Sequence, residues 1–490
     1  MTDRPTIVQV RKLADAGSFR SHLDRLDLDL CFDSDLVTGA DAPLAAALKV
    51  RLSPGVTRTV GNRFAVLPME GWDATSDGRP TDLVIRRWER FGSSGAKLVW
   101  GGEAVAVRPD GRANPNQLCI GPESVSDLAG LRSRLVATHS DRFGRADDLL
   151  VGLQLTHSGR WSRPAGSPVP RVGYRHPLLD RRVPVTEASV LSDDELDDLS
   201  KSFVEAAVVA ADAGFDFVDV KACHGYLLHE MLSGVDRPGP YGGGLEGRSR
   251  LQLRTLEAIR TRLPDLGLGV RLSLYDLVPF IAGPDGVGEP ESTGRYRHAF
   301  GGDGTGVGID LGEPDRLLTL LGEVGVSMVC TTAGSPYHCP HAQRPAYFPP
   351  SDGYLPPQDP LFDVVRLLDA TAGLKASHPD LVFVGSGYSY LQEWLPNVAQ
   401  ADVRAGRVDA VGIGRMVLSY HDLPADVVEG RGLDRRRICR TFSDCTTAPR
   451  NGLVSGCYPL DAHYKEMPAR VELTRVKRAA EQARGGGRRG

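Results

Sequence analysis

The sequence predicts an α/β chain folded as a closed (β/α)8 TIM barrel, on three observations. Eight short apolar runs rich in β-branched residues recur through its middle, helical periodicity fills most gaps between them, and the cycle is complete within residues 56–431. Several runs are hydrophobic nearly throughout, as strands buried on both faces must be. A doubly wound open sheet is the rival arrangement of the same elements.

In chain order the runs are "NRFAVLP" (62–68), "AKLVW" (96–100), "LLVGLQL" (149–155), "FDFVDVK" (215–221), "LGVRLSL" (268–274), "VSMVCT" (326–331), "LVFVG" (381–385) and "VDAVGIG" (408–414). The clearest helix follows Ser192, which with Glu195 makes a capping box. Leu196, Leu199, Phe203, Ala206, Ala207 and Ala210 then recur at three- and four-residue steps as one apolar stripe, and Gly214 sits where a left-handed cap would end it. Residues 1–55 read as an N-terminal extension. Residues 279–312, rich in Gly and Pro, form a long loop of the kind that serves as a lid or binding loop. Residues 432–490 form a cysteine-bearing appendage ending in a basic, flexible "ARGGGRRG" tail.

Composition narrows the function class. A chain of 490 residues, 41% hydrophobic, with net charge −4 and pI near 6.3, reads as an ordinary soluble protein with no basic stripe for nucleic acid. No apolar run reaches membrane-spanning length, and the N-terminus lacks a signal-peptide core. Of the eight cysteines, Cys31, Cys119, Cys223, Cys330 and Cys339 stand outside any pattern, so reduced thiols in the cytoplasm are expected.

In such a barrel, chemistry gathers at the C-terminal ends of the strands. The stretch "VDVKACHGYLLHEMLSG" (218–234) places Lys221, His224 and Tyr226 at one strand exit; Glu70, Gln154 with His157, Arg271 and "GIGR" occupy others. His229, one helical turn on, reads as structural.

Taken in order, "NRFAVLPME", "EAVAVRPDGR" (103–112), "QLTHSGR" (154–160), "CHGYLLHEMLSG", "VRLS" (270–273) and "VGIGR" (411–415) resemble the old yellow enzyme family of FMN-dependent NADH:flavin oxidoreductases, over roughly residues 60–430. The resemblance implies an FMN-bound barrel that takes hydride from NAD(P)H and reduces an activated C=C bond. Gln154 would meet the flavin's pyrimidine edge with an amide that both donates and accepts. Arg271 would supply a fixed positive charge beside the reduced ring. Gly385, Gly387, Gly414 and Arg415 would hold the phosphate, and Pro68, Met69, Glu70 and Ala104 would line the isoalloxazine. Tyr226 matches the proton donor, His224 the partner that polarises the substrate's carbonyl or nitro oxygen, and Trp72 an aromatic substrate contact.

Three departures matter. Lys221 stands where the family carries a His, so a pocket favouring negative oxygens is expected. Glu70 stands where relatives often carry Cys or Thr; it excludes covalent flavin at this position, and pairing with Lys221 would cancel much of its charge. The segment "CRTFSDCTTAPRNGLVSGC" (439–457) resembles the iron–sulfur segment of 2,4-dienoyl-CoA reductases, but Thr441 occupies a ligand position and Cys439 is displaced by one residue. Only Cys439, Cys445 and Cys457 remain, so a [4Fe–4S] cluster, which takes four thiolates, is not expected. No Gly-rich dinucleotide-binding unit follows Cys457, so NAD(P)H is expected to reach FMN at the barrel mouth. A small α,β-unsaturated substrate and a homo-oligomer complete these expectations. Two readings stay open beside them: an FMN-dependent dehydrogenase or demethylase running in the oxidative direction, and a non-catalytic flavin-binding barrel.

Overall fold

The computed structural model describes residues 6–485, so the last residues of the expected flexible tail lie outside it. Eight parallel staves form one closed sheet. They are β1 (Phe64–Val66), β2 (Leu98–Val99, continued by Ala104–Ala106), β3 (Leu150–Thr156), β4 (Phe217–Val220), β5 (Gly267–Ser273), β6 (Met328–Thr332), β7 (Val382–Gly385) and β8 (Ala410–Ile413). Each pairs with its sequence neighbour, β8 pairs with β1, and β2 joins β1 to β3, which closes the barrel and rules out the open sheet.

Helices α1 (Asp82–Gly92), α2 (Val125–Phe143), α3 (Asp193–Asp212), α4 (Arg250–Arg262), α5 (Gly312–Glu323), α6 (Leu361–Ser377) and α7 (Leu395–Arg404) cover the outside. In α3 the capping box forms as read: the Glu195 amide donates to Ser192 Oγ, and the Ser192 amide donates to Glu195 Oε2 at 2.8 Å. Its whole predicted stripe is buried, and Gly214 adopts φ +86°.

A hairpin, Leu48–Ser53 against Val56–Val60, packs onto the barrel interior and crosses residue 55. It buries Val50, Leu52 and Val60 against the interior side chains Ala65, Leu98, Phe217, Met328, Val384 and Ala410. Each such aliphatic side chain removed from water contributes about 1.5–3 kcal/mol. This plug leaves the opposite, C-terminal mouth as the open end.

The 279–312 loop is not a lid over that mouth. It forms a small hairpin, Phe280–Ala282 with Gly288–Pro290, and is tied down by Arg182 to Glu291 at 2.7 Å and by Tyr296 Oη to His176 Nε2 at 2.9 Å. The C-terminal segment, by contrast, docks on the barrel. Arg86 of α1 bonds both Asp461 oxygens at 3.0 Å, the Tyr347 amide donates to Thr441 Oγ1 at 3.1 Å, and Arg450 pairs with Asp352 at 2.8 Å. Among the described residues, no helix is long and apolar enough to cross a membrane.

Candidate active site at the barrel mouth

The site follows from the period-two alternation of the strands. On β4 the inward row reads Phe217, Asp219, Lys221; on β3 Leu150, Gly152, Gln154; on β5 Gly267, Gly269, Arg271. Apolar side chains fill the plugged end, Asp219 sits at mid-height, and Lys221, Gln154 and Arg271 reach the mouth. Asp219 is completely buried and works as a hub. It accepts from Trp100 Nε1 at 2.7 Å and Gln154 Nε2 at 2.5 Å through one oxygen, and from the Arg271 amide at 2.6 Å through the other. The bond to Asp219 fixes which way the Gln154 amide faces, leaving its oxygen and second N–H toward the mouth. Burial pushes the Asp219 carboxyl up from its ordinary value, against those hydrogen bonds.

A cavity of about 210 Å3 occupies the mouth. One wall is the loop after β1, "PMEGWD", locked from behind by a buried ion cluster. Arg87 of α1 bonds Glu103 at 2.6 Å and both oxygens of Asp73, and Glu103 in turn accepts from the Gly71 amide at 3.2 Å. Burial raises the Glu103 carboxyl to about 7 against the pull of Arg87. A Cβ on Gly71 would lie 2.2 Å from Arg87 Nη1, so only glycine lets the loop lie this close.

This loop presents Glu70 to the β4 exit. Lys221 Nζ donates to Glu70 Oε1 at 2.6 Å, while Tyr226 Oη at 2.9 Å and Trp72 Nε1 at 3.1 Å donate to Oε2. Lys221 Nζ also lies 3.9 Å from the centre of the Tyr226 ring. Lys221 is therefore not the free cation that an anion-selecting pocket requires; Glu70 neutralises it, as its pairing expectation stated. Burial, then Glu70 and Tyr337, hold the Tyr226 phenol well above its ordinary value, so it stays protonated.

His224 lies in a turn with φ +65°, a strained conformation for a non-glycine residue. The turn is held from three sides: the His224 amide donates to Ser273 Oγ, Ser335 Oγ donates to the His224 carbonyl, and the Gly225 amide donates to His229 Nδ1. That last bond gives His229 the structural part read from its position. The Gln343 side-chain amide lies 3.0 Å from His224 Nε2 and holds the ring in place. Burial, then Arg271 and Lys221, keep this imidazole neutral.

The remaining wall is cationic. Arg271 Nε and Arg415 Nη1 are buried without a partner, although Arg415 also donates to the Pro345 carbonyl at 2.7 Å. Arg344 stands beside Arg415; burial first, and Arg415 next, pull it down to about 10. Neither Arg344 nor Arg415 has a carboxylate partner among the described residues. Gly387, with φ +100°, and Gly414 line the same end. Orphaned guanidinium donors clustered against glycine backbone make a site for an anionic group.

Of the residues expected from sequence, Pro68, Met69, Glu70, Trp72, Gln154, Lys221, His224, Tyr226, Arg271, Gly387, Gly414 and Arg415 line this one cavity. Ala104 and Gly385 do not. Ala104 is buried in β2, its carbonyl accepting from Gln117, and the space a side chain on Gly385 would need is bounded by Val408 and Tyr388. Tyr337, Gln343, Arg344, Thr446 and Arg450 also line the cavity, and sequence reasoning missed them; so does Cys445, read from sequence only as a possible cluster ligand. The first three follow β6, in "SPYHCPHAQRPAYFPPSDGY", whose place after a strand end was a usable signal. The others belong to the C-terminal segment, which the sequence presents only as an appendage.

Comparison with known proteins agrees with this architecture. Residues 55–281 match the NADH:flavin oxidoreductase / NADH oxidase family. An NADPH dehydrogenase of Bacillus velezensis is 29% identical over 228 residues, covering 44% of this chain and 61% of the relative. One from Geobacillus thermodenitrificans is 30% identical over 250 residues, covering 47% and 65%. The match thus spans less than two thirds of these relatives' own length. Among solved structures, a 2-naphthoyl-CoA reductase complex superposes with TM-score 0.64 at 18% identity, covering 86% of this chain and 57% of that one. Histamine dehydrogenase from Rhizobium sp. 4-9 gives 0.61 at 19%, covering 86% and 53%. An old yellow enzyme homologue from Zymomonas mobilis gives 0.53 at 21%, covering 80% and 93%. Those structural likenesses speak for the fold; over residues 55–281, a little under half of its length, the chain is similar in sequence to the NADH:flavin oxidoreductase / NADH oxidase family.

Proposed function

We propose that this protein is an FMN-dependent NAD(P)H oxidoreductase that reduces activated C=C bonds. One observation carries the reading: two buried guanidinium donors without a partner, Arg271 Nε and Arg415 Nη1, share a cavity with the oriented Gln154 amide and the His224–Tyr226 pair. These groups fit a flavin mononucleotide. Gln154 would meet its pyrimidine edge, Arg271 the negative charge of the reduced ring, and Arg415 with Gly387 and Gly414 its phosphate. When bound, FMN would supply hydride transfer from NAD(P)H to the alkene.

The chain's own residues do the rest. His224, as a neutral imidazole, donates its ring N–H to the substrate's carbonyl or nitro oxygen and so draws electron density from the β-carbon. The β-carbon accepts hydride, and Tyr226 gives its proton to the α-carbon. Tyr337 and Trp72 supply apolar walls on the substrate side.

The donor set for an iron–sulfur cluster does not fit. Burial first raises the Cys439 and Cys457 thiols, with Cys445 adding to both and Cys439 adding to Cys457, so the three stand together, but the fourth position offers the Thr441 hydroxyl, already engaged by the Tyr347 amide.

The test is a visible spectrum of the purified protein, then anaerobic titration with NADPH and reoxidation by a panel of unsaturated acids, ketones and nitroalkenes. A yellow protein bleached by NADPH and recoloured by at least one alkene supports the proposal. A colourless protein that refuses added FMN overturns it. Because one mouth serves nucleotide and alkene, steady-state plots at varied substrate should give parallel lines.

A further inference from the structure

We propose that Glu70 is the relay through which Tyr226 regains its proton from solvent after each turnover, a role that rests on the alkene-reductase reading above. Each transfer to the α-carbon breaks the Tyr226 O–H bond and forms a C–H bond, while the hydride brings both electrons to the β-carbon. The phenol oxygen is left anionic and must be reprotonated before the next cycle. Tyr226 itself is 3% exposed, so it has almost no direct contact with water.

Glu70 is placed to solve that problem. Its Oε2 lies 2.9 Å from Tyr226 Oη, and its side chain is more exposed than its ionic partner's, 16% against 3% for Lys221. In the resting state it is the acceptor and Tyr226 the donor. Once Tyr226 becomes anionic, two negative oxygens face each other at that distance, and the repulsion raises the proton affinity of the carboxylate. Glu70 then takes a proton from water and passes it to the phenolate, restoring phenol and carboxylate. One hydride and one solvent proton are consumed per C=C bond reduced.

Lys221 sets the balance of this relay. Its ammonium bonds Glu70 Oε1 at 2.6 Å and lies 3.9 Å from the Tyr226 ring centre, so it moderates the charge on whichever group is anionic. Trp72 Nε1 fixes the carboxylate from the other side. The titratable and charged neighbours facing the pair are Lys221, Tyr337, Cys223, His224, Arg271 and, over the Tyr337 ring, Arg450. Tyr337 Oη, at 3.3 Å from Tyr226 Oη and on a partly exposed side chain, is the competing route that Tyr337→Phe tests.

Glu70→Gln keeps an acceptor oxygen but cannot carry a proton at neutral pH, and Glu70→Asp keeps the proton chemistry while shortening the reach. In flavin-loaded, NADPH-reduced enzyme mixed with an alkene, the first turnover of Glu70→Gln should proceed from the stored Tyr226 proton. Later turnovers should slow by about 10²-fold with an enlarged solvent isotope effect. Glu70→Asp should recover part of the loss, and Tyr337→Phe should not reproduce it. Independently of turnover, ultraviolet titration of the flavin-free protein, differenced against Tyr226→Phe, should show the Tyr226 phenol ionising at lower pH in Glu70→Gln than in wild type. Burst and steady-state rates both at wild-type level in Glu70→Gln, or an unmoved Tyr226 titration, overturn the relay. If no alkene reoxidises even the wild type while the titration shifts as expected, the alkene-reductase reading has failed and the Glu70–Tyr226 coupling stands.

Discussion

Asp219→Asn is the substitution that tests the site at its root. The Asp219 carboxylate accepts three buried hydrogen bonds, two on the oxygen facing Trp100 and Gln154 and one on the oxygen facing the Arg271 amide. An asparagine can keep its oxygen toward Trp100 and Gln154, and its NH2 then points at the Arg271 N–H. One buried donor loses its acceptor, at about 1–3 kcal/mol, and the two retained bonds fall from charge-assisted to neutral strength, at about 1 kcal/mol together. Relief from burying a carboxylate returns part of this, so a net loss of about 2–3 kcal/mol is expected in urea unfolding. The larger effect falls on the cofactor. With the hub gone, Gln154 is no longer held in one amide orientation and Arg271 loses a nearby counter-charge, so FMN affinity, followed by quenching of flavin fluorescence, should weaken by about 10- to 100-fold. Unchanged stability together with unchanged FMN affinity would refute the idea that Asp219 orients the mouth.

Three further outcomes follow from the same geometry. Gly71→Ala should destabilise the protein by about 2 kcal/mol and depress activity with it, because the new methyl meets an Arg87 guanidinium that Asp73 and Glu103 prevent from moving aside; thermal melts and kcat measured together check this. His229 is held at about 4 in the folded state, chiefly by burial, against about 6.5 when unfolded. Below pH 6.5 the unfolded chain therefore binds a proton that the native chain refuses. Its contribution is fully present above that pH and is lost as pH falls toward 4, at up to about 1.4 kcal/mol per pH unit. The slope of unfolding free energy against pH should flatten in His229→Gln, and identical slopes would contradict the assignment. Finally, metal analysis of protein carrying its full complement of flavin should find no stoichiometric iron; four iron atoms per chain would show that another group replaces Thr441 as the fourth ligand.

Much of this protein is legible along the chain. The eight strands, the α3 cap and the inward rows of β3, β4 and β5 are set by local periodicity, which needs no partner to be read. Once a closed barrel is inferred, period two alone sends Gln154, Lys221 and Arg271 to the same mouth, and the strand-end rule does the same for Tyr226 and His224. The errors were of another kind. The Lys221–Glu70 pairing was expected, but the anion-selecting role read for Lys221 ignored it; that Glu70 also accepts from Tyr226, 156 positions away, was not read at all. Nothing local marks Asp219, an acidic residue inside an apolar strand, as the hub for three elements.

The order of strands and the arrival of Gln154, Lys221 and Arg271 at one mouth were therefore determined by the sequence itself, since backbone geometry turns spacing into direction. Which of those residues touch, which charges cancel, and that the cysteine-bearing segment walls the cavity were decided only by tertiary structure. Barrel closure brings distant strand ends to within hydrogen-bond distance, and the strength of a buried charge or phenol depends on those neighbours rather than on its place in the chain.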